Sequence, residues 1–248
     1  MISRRRFIAV GTSGLLLGGC DRLNNSPQFR GVLRSAEKLT MTSQRLISPR
    51  DALAREYGEA DLSPIFRSNG TSMPSGEDYA RHVAEQFANW RLVVDGLVAR
   101  PLSIALTALR SLPHRVQITR HDCVEGWSAI GKWHGVQLSR ILDHAGLSTR
   151  AKYIVFHCAD RFGDKPFYES IGLVDAFHPQ TMLAWGMNGH LLPVPNGAPL
   201  RLRVERQLGY KQAKYIERIE AVESLARVYG GKGGYWEDNV DYEWYAGV

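Results

Sequence analysis

Cysteine is scarce in this sequence, because only Cys20, Cys123 and Cys158 occur among its 248 residues. So few cysteines exclude a scaffold held together by several disulfides, which is how small exported domains compensate for a limited core. The three are far apart, and the sequence holds neither a CxxC pair nor a CxxCH haem-attachment motif. At Cys123 a metal ligand, a catalytic nucleophile, a small buried side chain and a bridge to Cys158 all stay open.

Long apolar runs are missing as well. The uncharged stretch Ala9–Gly19 is shorter than the roughly 20 apolar residues that a membrane-spanning helix needs. It follows Arg4-Arg5-Arg6-Phe7-Ile8, an order typical of a twin-arginine signal peptide. Such signals direct the export of proteins that are already folded, often with a cofactor inserted. We therefore expect a periplasmic protein.

The signal ends in Leu17-Gly18-Gly19-Cys20, which has the small-residue pattern of a lipoprotein processing site. We expect residues 1–20 to be the signal and Cys20 to carry a lipid anchor, with Asp21 favouring retention at the inner membrane. An ordinary signal peptide with an incidental cysteine is the alternative.

A concentrated basic surface is also lacking. The formal net charge is +6, but Arg4, Arg5 and Arg6 lie in the predicted signal, and the other basic residues are scattered or fall in the segment 201–214. Proteins that bind nucleic acid cluster positive charge along one face or carry a recognisable binding motif. The sequence therefore excludes a nucleic-acid partner and favours a small anionic ligand.

Residues 21–64 are polar and predict a tether and N-terminal arm, including a short helix whose cap and first turn are Ser48-Pro49-Arg50-Asp51 and which ends near Gly58. Residues 65–248 predict one domain. Strands and helices mix in that domain without regular alternation, which favours an α+β fold. The predicted strands are a hairpin over Trp90–Val98 that turns at Asp95-Gly96, then Val116–Thr119, Trp133–Val136, Tyr153–His157, Leu183–Trp185, Leu191–Pro195, Leu200–Val204 and Ile216–Val222; the predicted helices are Pro101–Leu112 and Ser139–Ala145.

Three segments of the sequence contain side chains suited to binding a metal or an anion. Arg120-His121-Asp122-Cys123-Val124-Glu125-Gly126-Trp127-Ser128 follows a strand and offers a thiolate, which is a soft metal ligand. The run Asn196–Arg201, followed by Gly209–Ile216, supplies a guanidinium, an ammonium and glycine backbone, which suit a phosphate. Arg67-Ser68-Asn69-Gly70 is a third, shorter loop.

Together these runs resemble the molybdopterin-binding oxidoreductases of the sulfite oxidase superfamily, and within it the catalytic subunits of periplasmic protein-methionine-sulfoxide reductases. The resemblance covers about residues 66–223. It implies a mixed-sheet domain holding a molybdenum-molybdopterin cofactor, and oxygen-atom transfer on a small or sulfoxide-type substrate. Because the sequence has no haem motif, it also implies a separate redox partner, either a membrane cytochrome b subunit or a periplasmic cytochrome c.

The resemblance also implies roles for individual residues. Cys123 holds the metal, Arg120 orients the substrate, and His121 delivers a proton. The implied cofactor-binding residues are Asn69, Ser72, Met73, Cys158, Asn196, Arg201, Gln212, Ala213 and Lys214.

The sequence departs from the family in three places. Asp122 stands where reductase-type relatives commonly have a basic residue, Glu205-Arg206-Gln207 replaces a common Pro-Trp-Lys, and Cys158 replaces a threonine. A sulfite oxidase-like dehydrogenase and a metal-free binding module of the same fold therefore remain alternatives. A zinc site among the scattered histidines and a phosphate loop at Gly230–Gly234 have weaker support, since neither matches a known spacing.

Overall fold

The computed structural model describes residues 26–248, so the predicted signal, Cys20 and Asp21 lie outside the described residues. The chain divides into two compact units, Met1–Pro49 and Arg50–Val248. In the first unit the described part is helix α1, Pro27–Ile47. No helix among residues 26–248 is long and apolar enough to cross a membrane.

The predicted helix over residues 51–58 is wrong. Pro49 disfavours helical backbone at the residue before it, and the chain that follows is extended. Residues 54–57 are held in that form by tertiary hydrogen bonds, since both backbone groups of Ala54 bond the side-chain amide of Gln180 and the Tyr57 N–H donates to the Ile118 carbonyl at 2.9 Å. These contacts override the local helical propensity.

Ten strands and five helices follow in the second unit. The strands are β1 Arg91–Gly96, β2 Leu102–Ala105, β3 Arg115–Asp122, β4 Ser128–Gln137, β5 Tyr153–Phe162, β6 Lys165–Gly172, β7 Met182–Met187, β8 His190–Leu191, β9 Arg201–Arg203 and β10 Ile216–Val222. The helices are α2 Glu77–Ala84, α3 Leu106–Ser111, α4 Leu138–Ala145, α5 Leu173–Ala176 and α6 Tyr235–Val240. Short 3₁₀ turns occupy Glu59–Asp61, Val194–Asn196, Gly209–Lys211 and Leu225–Arg227.

The strands form two sheets. The first has the order β2-β1-β10-β5-β6 and is mixed, because β1 and β10 are parallel whereas its other pairs are antiparallel. The second has the order β3-β4-β7-β8, with β9 also paired to β7, and is antiparallel throughout. The α+β fold with a mixed sheet is thereby confirmed.

One hydrophobic core joins the two sheets. Leu92 of β1 and Phe156 of β5 come from the first sheet, and Leu183 of β7 comes from the second. Helix α4, predicted at Ser139–Ala145, closes this core with four buried residues at helical spacing and ends at Gly146, whose φ of 70° favours glycine.

Two local predictions are wrong for the same reason, which is strand pairing. Asp95-Gly96 ends β1 but forms no tight hairpin, because the Leu97 N–H donates to Ala221 of β10 at 2.7 Å and the chain turns back only at β2. The helix predicted from Pro101 is shortened to α3, since its first residues form β2. The strand predicted at Leu191–Pro195 is present only at its first residue, in β8, and the chain then enters the 3₁₀ turn Val194–Asn196.

A buried ion cluster connects β6, the 3₁₀ turn at Gly209–Lys211 and helix α6. The Lys211 ammonium donates to Glu169 of β6 and to Glu237 of α6, the latter at 2.6 Å, and all three side chains are within 1% of complete burial. The second carboxylate oxygens of Glu169 and Glu237 have no hydrogen-bond partner within residues 26–248. Two carboxylates facing one ammonium would leave a buried negative charge, so we infer that a proton is retained on the pair.

The pKa values of the cluster agree with this arrangement. Burial raises the pKa of Glu169 well above its usual 4.5, and the neighbouring Glu237 adds to the rise although Lys211 opposes it. Burial alone would lower the pKa of Lys211, but the two carboxylates outweigh it and raise that pKa. Folding therefore takes up a proton at Glu169 when the pH exceeds its usual pKa.

We predict that Lys211→Met lowers the free energy of unfolding by about 3–5 kcal/mol, because it leaves the remaining buried carboxylate charge of the pair without a cation. We also predict that the unfolding free energy of the unmodified chain falls as the pH rises above about 4.5, since the unfolded Glu169 releases a proton that the folded chain keeps. Glu169→Gln should flatten this fall, and the exposed control Glu77→Gln should not. Denaturant titration across pH measures both effects, and an unchanged slope in Glu169→Gln contradicts the retained proton.

Candidate active site

A cleft of about 160 Å³ opens beside the turn between β3 and β4. Polar and charged residues line one part of it, and aromatic residues line another. The lining residues are Asn69, Gly70, Thr71, Cys123, Val124, Glu125, Asp160, Phe162, Phe167, Gly209, Tyr210, Gln212, Lys214, Trp236 and Tyr242.

Cys123 is held in the cleft wall by a tight turn. Its N–H donates to the Trp127 carbonyl at 2.9 Å, its carbonyl accepts from Gly126 at 3.0 Å, and Gly126 has a φ of 84° that favours glycine. The side-chain amide of Asn69 lies 3.9 Å from the sulfur and donates towards it. Burial raises the pKa of the Cys123 thiol, whereas backbone and Asn69 donors act in the opposite direction. These donors would stabilise a thiolate once a cation displaces the proton.

Behind Cys123 lies His121, which is fully buried beside Phe66 and Trp127. Its Nδ1 lies 3.0 Å from Nη1 of Arg203. A guanidinium only donates, so Nδ1 accepts and the neutral ring carries its proton on Nε2. Burial, followed by the charges of Arg203 and Arg201, holds the pKa of His121 well below 6.5. The Nε2 atom has no partner among the described residues.

Two buried cations adjoin the cleft. Lys214 donates to the carbonyls of Asn69, Thr71 and Pro195, and burial together with Arg201 lowers its pKa to about 7 although Asp160 opposes the change. Arg201 donates to the Asn196 carbonyl at 2.9 Å, and burial lowers its pKa to about 9.

These two cations are not neutralised by neighbours. No carboxylate lies within 4.0 Å of either charged group in the part of the chain that the structure describes. In addition, two donors, Nε of Arg201 and Nδ2 of Asn196, and one acceptor, Oε1 of Gln212, are buried without partners among the residues that the structure describes. Crowded cations with unused donors are an arrangement that a bound anion would stabilise.

Asp160, on β5, is a lining residue that sequence analysis missed. It is 3% exposed, and no described residue forms a hydrogen bond with its Oδ1. Burial raises the pKa of this carboxyl to about 6, while the charge of Lys214 and a hydrogen bond with Thr71 oppose the rise. A buried acid on a strand is uncommon. The position of Asp160 within the alternating pattern of β5 was therefore the sequence signal that could have identified it.

The aromatic part of the cleft is built from β5, β6 and the C-terminal residues. Phe162 and Phe167 extend from the two strands, and Trp236 of α6 stacks against Tyr242 with ring centroids 6.0 Å apart. Tyr210 anchors this wall by donating to the Glu243 carbonyl at 2.5 Å. The aromatic residues near the C-terminus therefore dock that end of the chain and also line the cleft, which the sequence analysis did not foresee.

The structure brings together only part of the implied site. Asn69, Cys123, Gln212 and Lys214 line the cleft, and Asn196 and Arg201 lie directly behind it. Ser72 and Met73 are exposed on the loop after Gly70 and do not line it. Cys158 and Ala213 belong to the hydrophobic core.

Arg120 does not reach the cleft. Its guanidinium pairs with Asp122 at 2.9 Å and is 54% exposed, while Asp122 also accepts from Ser128. The role of Arg120 in orienting substrate is therefore not supported by its position. His121 is likewise enclosed rather than on the cleft wall. The pairing of Arg120 with Asp122 also shows that this unusual acid is neutralised outside the cleft.

Other departures from the family pattern have structural explanations. Glu205 forms a two-point ion pair with Arg203, with distances of 3.0 and 2.5 Å, so this arginine is not available to an anion. Cys123 and Cys158 are both free thiols, which argues against the bridge between them.

The weaker alternatives gain no support. Residues 26–248 contain no cluster of three or more histidine, cysteine or acidic side chains suited to a metal. In the glycine-rich segment, the N–H groups of Gly230 and Lys232 donate to Asp238 at 2.8 and 3.0 Å. An internal carboxylate thus takes the donors that a phosphate would need.

A molybdenum-molybdopterin cofactor fits these residues. Cys123 offers one sulfur ligand with a donor directed at it. Lys214 and Arg201 provide the positive charge, and the unpartnered polar atoms of Asn196, Arg201 and Gln212 provide hydrogen-bonding capacity for an anionic, heteroatom-rich group.

Comparisons with known proteins agree. Residues 80–229 match the family described as oxidoreductase molybdopterin binding domain. A protein of Azospira oryzae provisionally named protein-methionine-sulfoxide reductase subunit YedZ1 is 37% identical over 248 residues, which is 99% of this chain and 88% of that protein. The protein-methionine-sulfoxide reductase catalytic subunit MsrP of Xanthomonas campestris pv. campestris is 37% identical over 237 residues, 90% of this chain and 70% of that protein.

Among solved structures, the sulfane dehydrogenase SoxCD from Paracoccus pantotrophus has a TM-score of 0.49 and 24% identity, covering 57% of this chain and 41% of that one. The family match covers more than half of the sequence and includes Cys123 and the cationic residues behind it. The chain is accordingly an enzyme of the sulfite oxidase superfamily of molybdopterin-binding oxidoreductases.

Proposed function

We propose that this enzyme reduces a methionine-sulfoxide-type substrate in the periplasm, with electrons supplied by a separate cytochrome. The observation that carries this proposal is the composition of the Cys123 cleft, which is cationic behind one part and aromatic along another. The names of two relatives with 37% identity agree with a sulfoxide reductase.

Different residues of the cleft would bind different parts of the cofactor. The Cys123 thiolate would bind molybdenum, with Asn69 donating to the sulfur. Arg201 and Lys214 would neutralise the pterin phosphate, Asn196 Nδ2 would donate a further hydrogen bond to it, and Gln212 Oε1 would accept from a donor of the pterin. The bound cofactor supplies a metal that exchanges electrons and accepts an oxygen atom.

The remaining cleft favours an uncharged substrate. Glu125 and Asp160 contribute negative charge to the lining, and Arg120 is engaged with Asp122 outside it. An anion such as sulfite would meet these acids once the two cations are occupied by phosphate. A methyl sulfoxide is neutral, and its sulfur and methyl group pack well against the faces and edges of aromatic rings such as Trp236.

Electron supply and location follow from the sequence motifs. The absence of a haem motif in the printed sequence means that a membrane cytochrome b subunit or a periplasmic cytochrome c would bring the electrons. The twin-arginine signal would export the loaded enzyme, and a lipid on Cys20 would hold it at the inner membrane beside such a partner.

The first prediction concerns the metal. We expect about one molybdenum per chain in the natively exported protein and its loss in Cys123→Ser, because a neutral hydroxyl is a poor substitute for a soft thiolate ligand. Plasma mass spectrometry of both proteins measures this, with Cys158→Ser, whose site lies in the core, as the matched control. An unmodified protein free of molybdenum, from cells that load another molybdoenzyme, would support a metal-free binding module instead.

The second prediction concerns the substrate. With a reduced viologen as donor, we expect turnover of methionine sulfoxide and none of sulfite with cytochrome c as acceptor. Trp236→Ala should raise KM for the sulfoxide about tenfold, the scale of one aromatic contact with sulfur. Phe177→Ala removes a 40% exposed aromatic outside the cleft and serves as the control. Faster turnover of sulfite would instead identify a sulfite dehydrogenase.

A further inference from the structure

Helix α1 has an exposed apolar stripe. Leu39, Leu46 and Ile47 are 67%, 81% and 82% exposed, and none of residues 35–47 is buried. Leu39 and Leu46 are seven residues apart, so they lie on one face of the helix, with Ile47 beside Leu46. Large aliphatic side chains on one helix face are costly to leave in water.

The one polar residue within this stripe is internally satisfied. Ser43 lies between Leu39 and Leu46 on the helix surface, and its hydroxyl donates to the Leu39 carbonyl at 2.7 Å. Thr42, beside it, donates in the same way to Lys38 at 2.6 Å. Both hydroxyls therefore tolerate an apolar environment, because their hydrogen bonds do not depend on water.

The charge of the helix defines the kind of surface that it fits. Its sequence carries four basic residues against one acidic residue, a net charge of +3. Lys38 and Arg45 are seven residues apart and flank the apolar stripe on one side. An apolar stripe bordered by basic residues is found on helices that lie in the interface of anionic phospholipid membranes, and here the basic border lies on one side.

The position of the helix in the chain agrees with this partner. Six residues separate Cys20 from Pro27, so a lipid on Cys20 would keep the start of the helix within about 25 Å of the bilayer even if those residues were fully extended. The helix also belongs to a unit separate from Arg50–Val248. We propose that α1 lies along an anionic membrane surface, with Leu39, Leu46 and Ile47 among the acyl chains.

The test separates the helix from the lipid anchor. A chain that starts at Asp21 lacks Cys20 and keeps both the helix and the compact unit Arg50–Val248. We expect it to co-sediment with vesicles of phosphatidylglycerol and phosphatidylethanolamine, and to bind pure phosphatidylcholine vesicles far less. Added salt should weaken the binding by screening the basic residues.

The variant Leu39→Ser/Leu46→Ser/Ile47→Ser should lower vesicle binding at least about tenfold, because three large apolar groups no longer insert. Leu191→Ser, which changes a leucine that is 64% exposed on β8, is the matched control and should bind like the parent. Circular dichroism and the unfolding temperature of the triple variant show whether the second unit is intact.

Two kinds of result would overturn the proposal. One is a parent chain that does not bind anionic vesicles, or a triple variant that binds them as well as the parent. The other is light scattering that shows a dimer in the parent and a monomer in the triple variant, since a second copy would then cover the stripe. Neither result bears on molybdenum content or sulfoxide turnover, which test the proposed function separately.

Discussion

The cleft depends on the ion pairs that the buried ammonium of Lys211 forms. Lys211 bonds carboxylates from β6 and α6 at once, and it lies in the same 3₁₀ turn as Gly209 and Tyr210, which line the cleft. Such a cluster is a weak source of net stability because desolvating its charges costs nearly as much as their attraction returns. Its value lies in specificity, since α6 has one position in which Glu237 meets the cation. That position brings Trp236 to the cleft wall.

The cleft separates two kinds of chemistry. Buried cations and unpartnered donors lie towards Arg201 and Lys214, and aromatic rings lie towards α6. Cys123 is in contact with the polar part through Asn69. An elongated cofactor with a charged end would occupy the cationic part of the cleft. The aromatic part would then remain open to a neutral substrate. Arg203 does not extend the cationic region, because Glu205 neutralises it, and it supports His121 instead.

Much of the fold was predictable because strand alternation and the stripe of α4 are local signals. The error at residues 51–58 came from Gln180, a residue far along the chain whose side chain binds both backbone groups of Ala54. Strand β6 was missed because it is buried along most of its length, so Ser170 and Glu169 interrupt any apolar alternation. The motif residues Cys123, Asn69 and Lys214 converge as expected. Arg120 does not, because its acid partner two residues away pairs with it on the strand, and Asp160 and Trp236 belong to no motif that spacing reveals.

The order of the chain has a consequence for assembly. Trp236 and Tyr242 come after every other lining residue in the sequence, and Tyr210 is fixed by the carbonyl of Glu243. A ribosome therefore finishes this cleft last, when Cys123, Arg201 and Lys214 have long been synthesised. Without α6 and the residues after it, the lining of the cleft would lack Trp236 and Tyr242, and the groove beside Cys123 would be wider. Chains terminated before Tyr235 would carry the ligands for the cofactor but not the wall that encloses it.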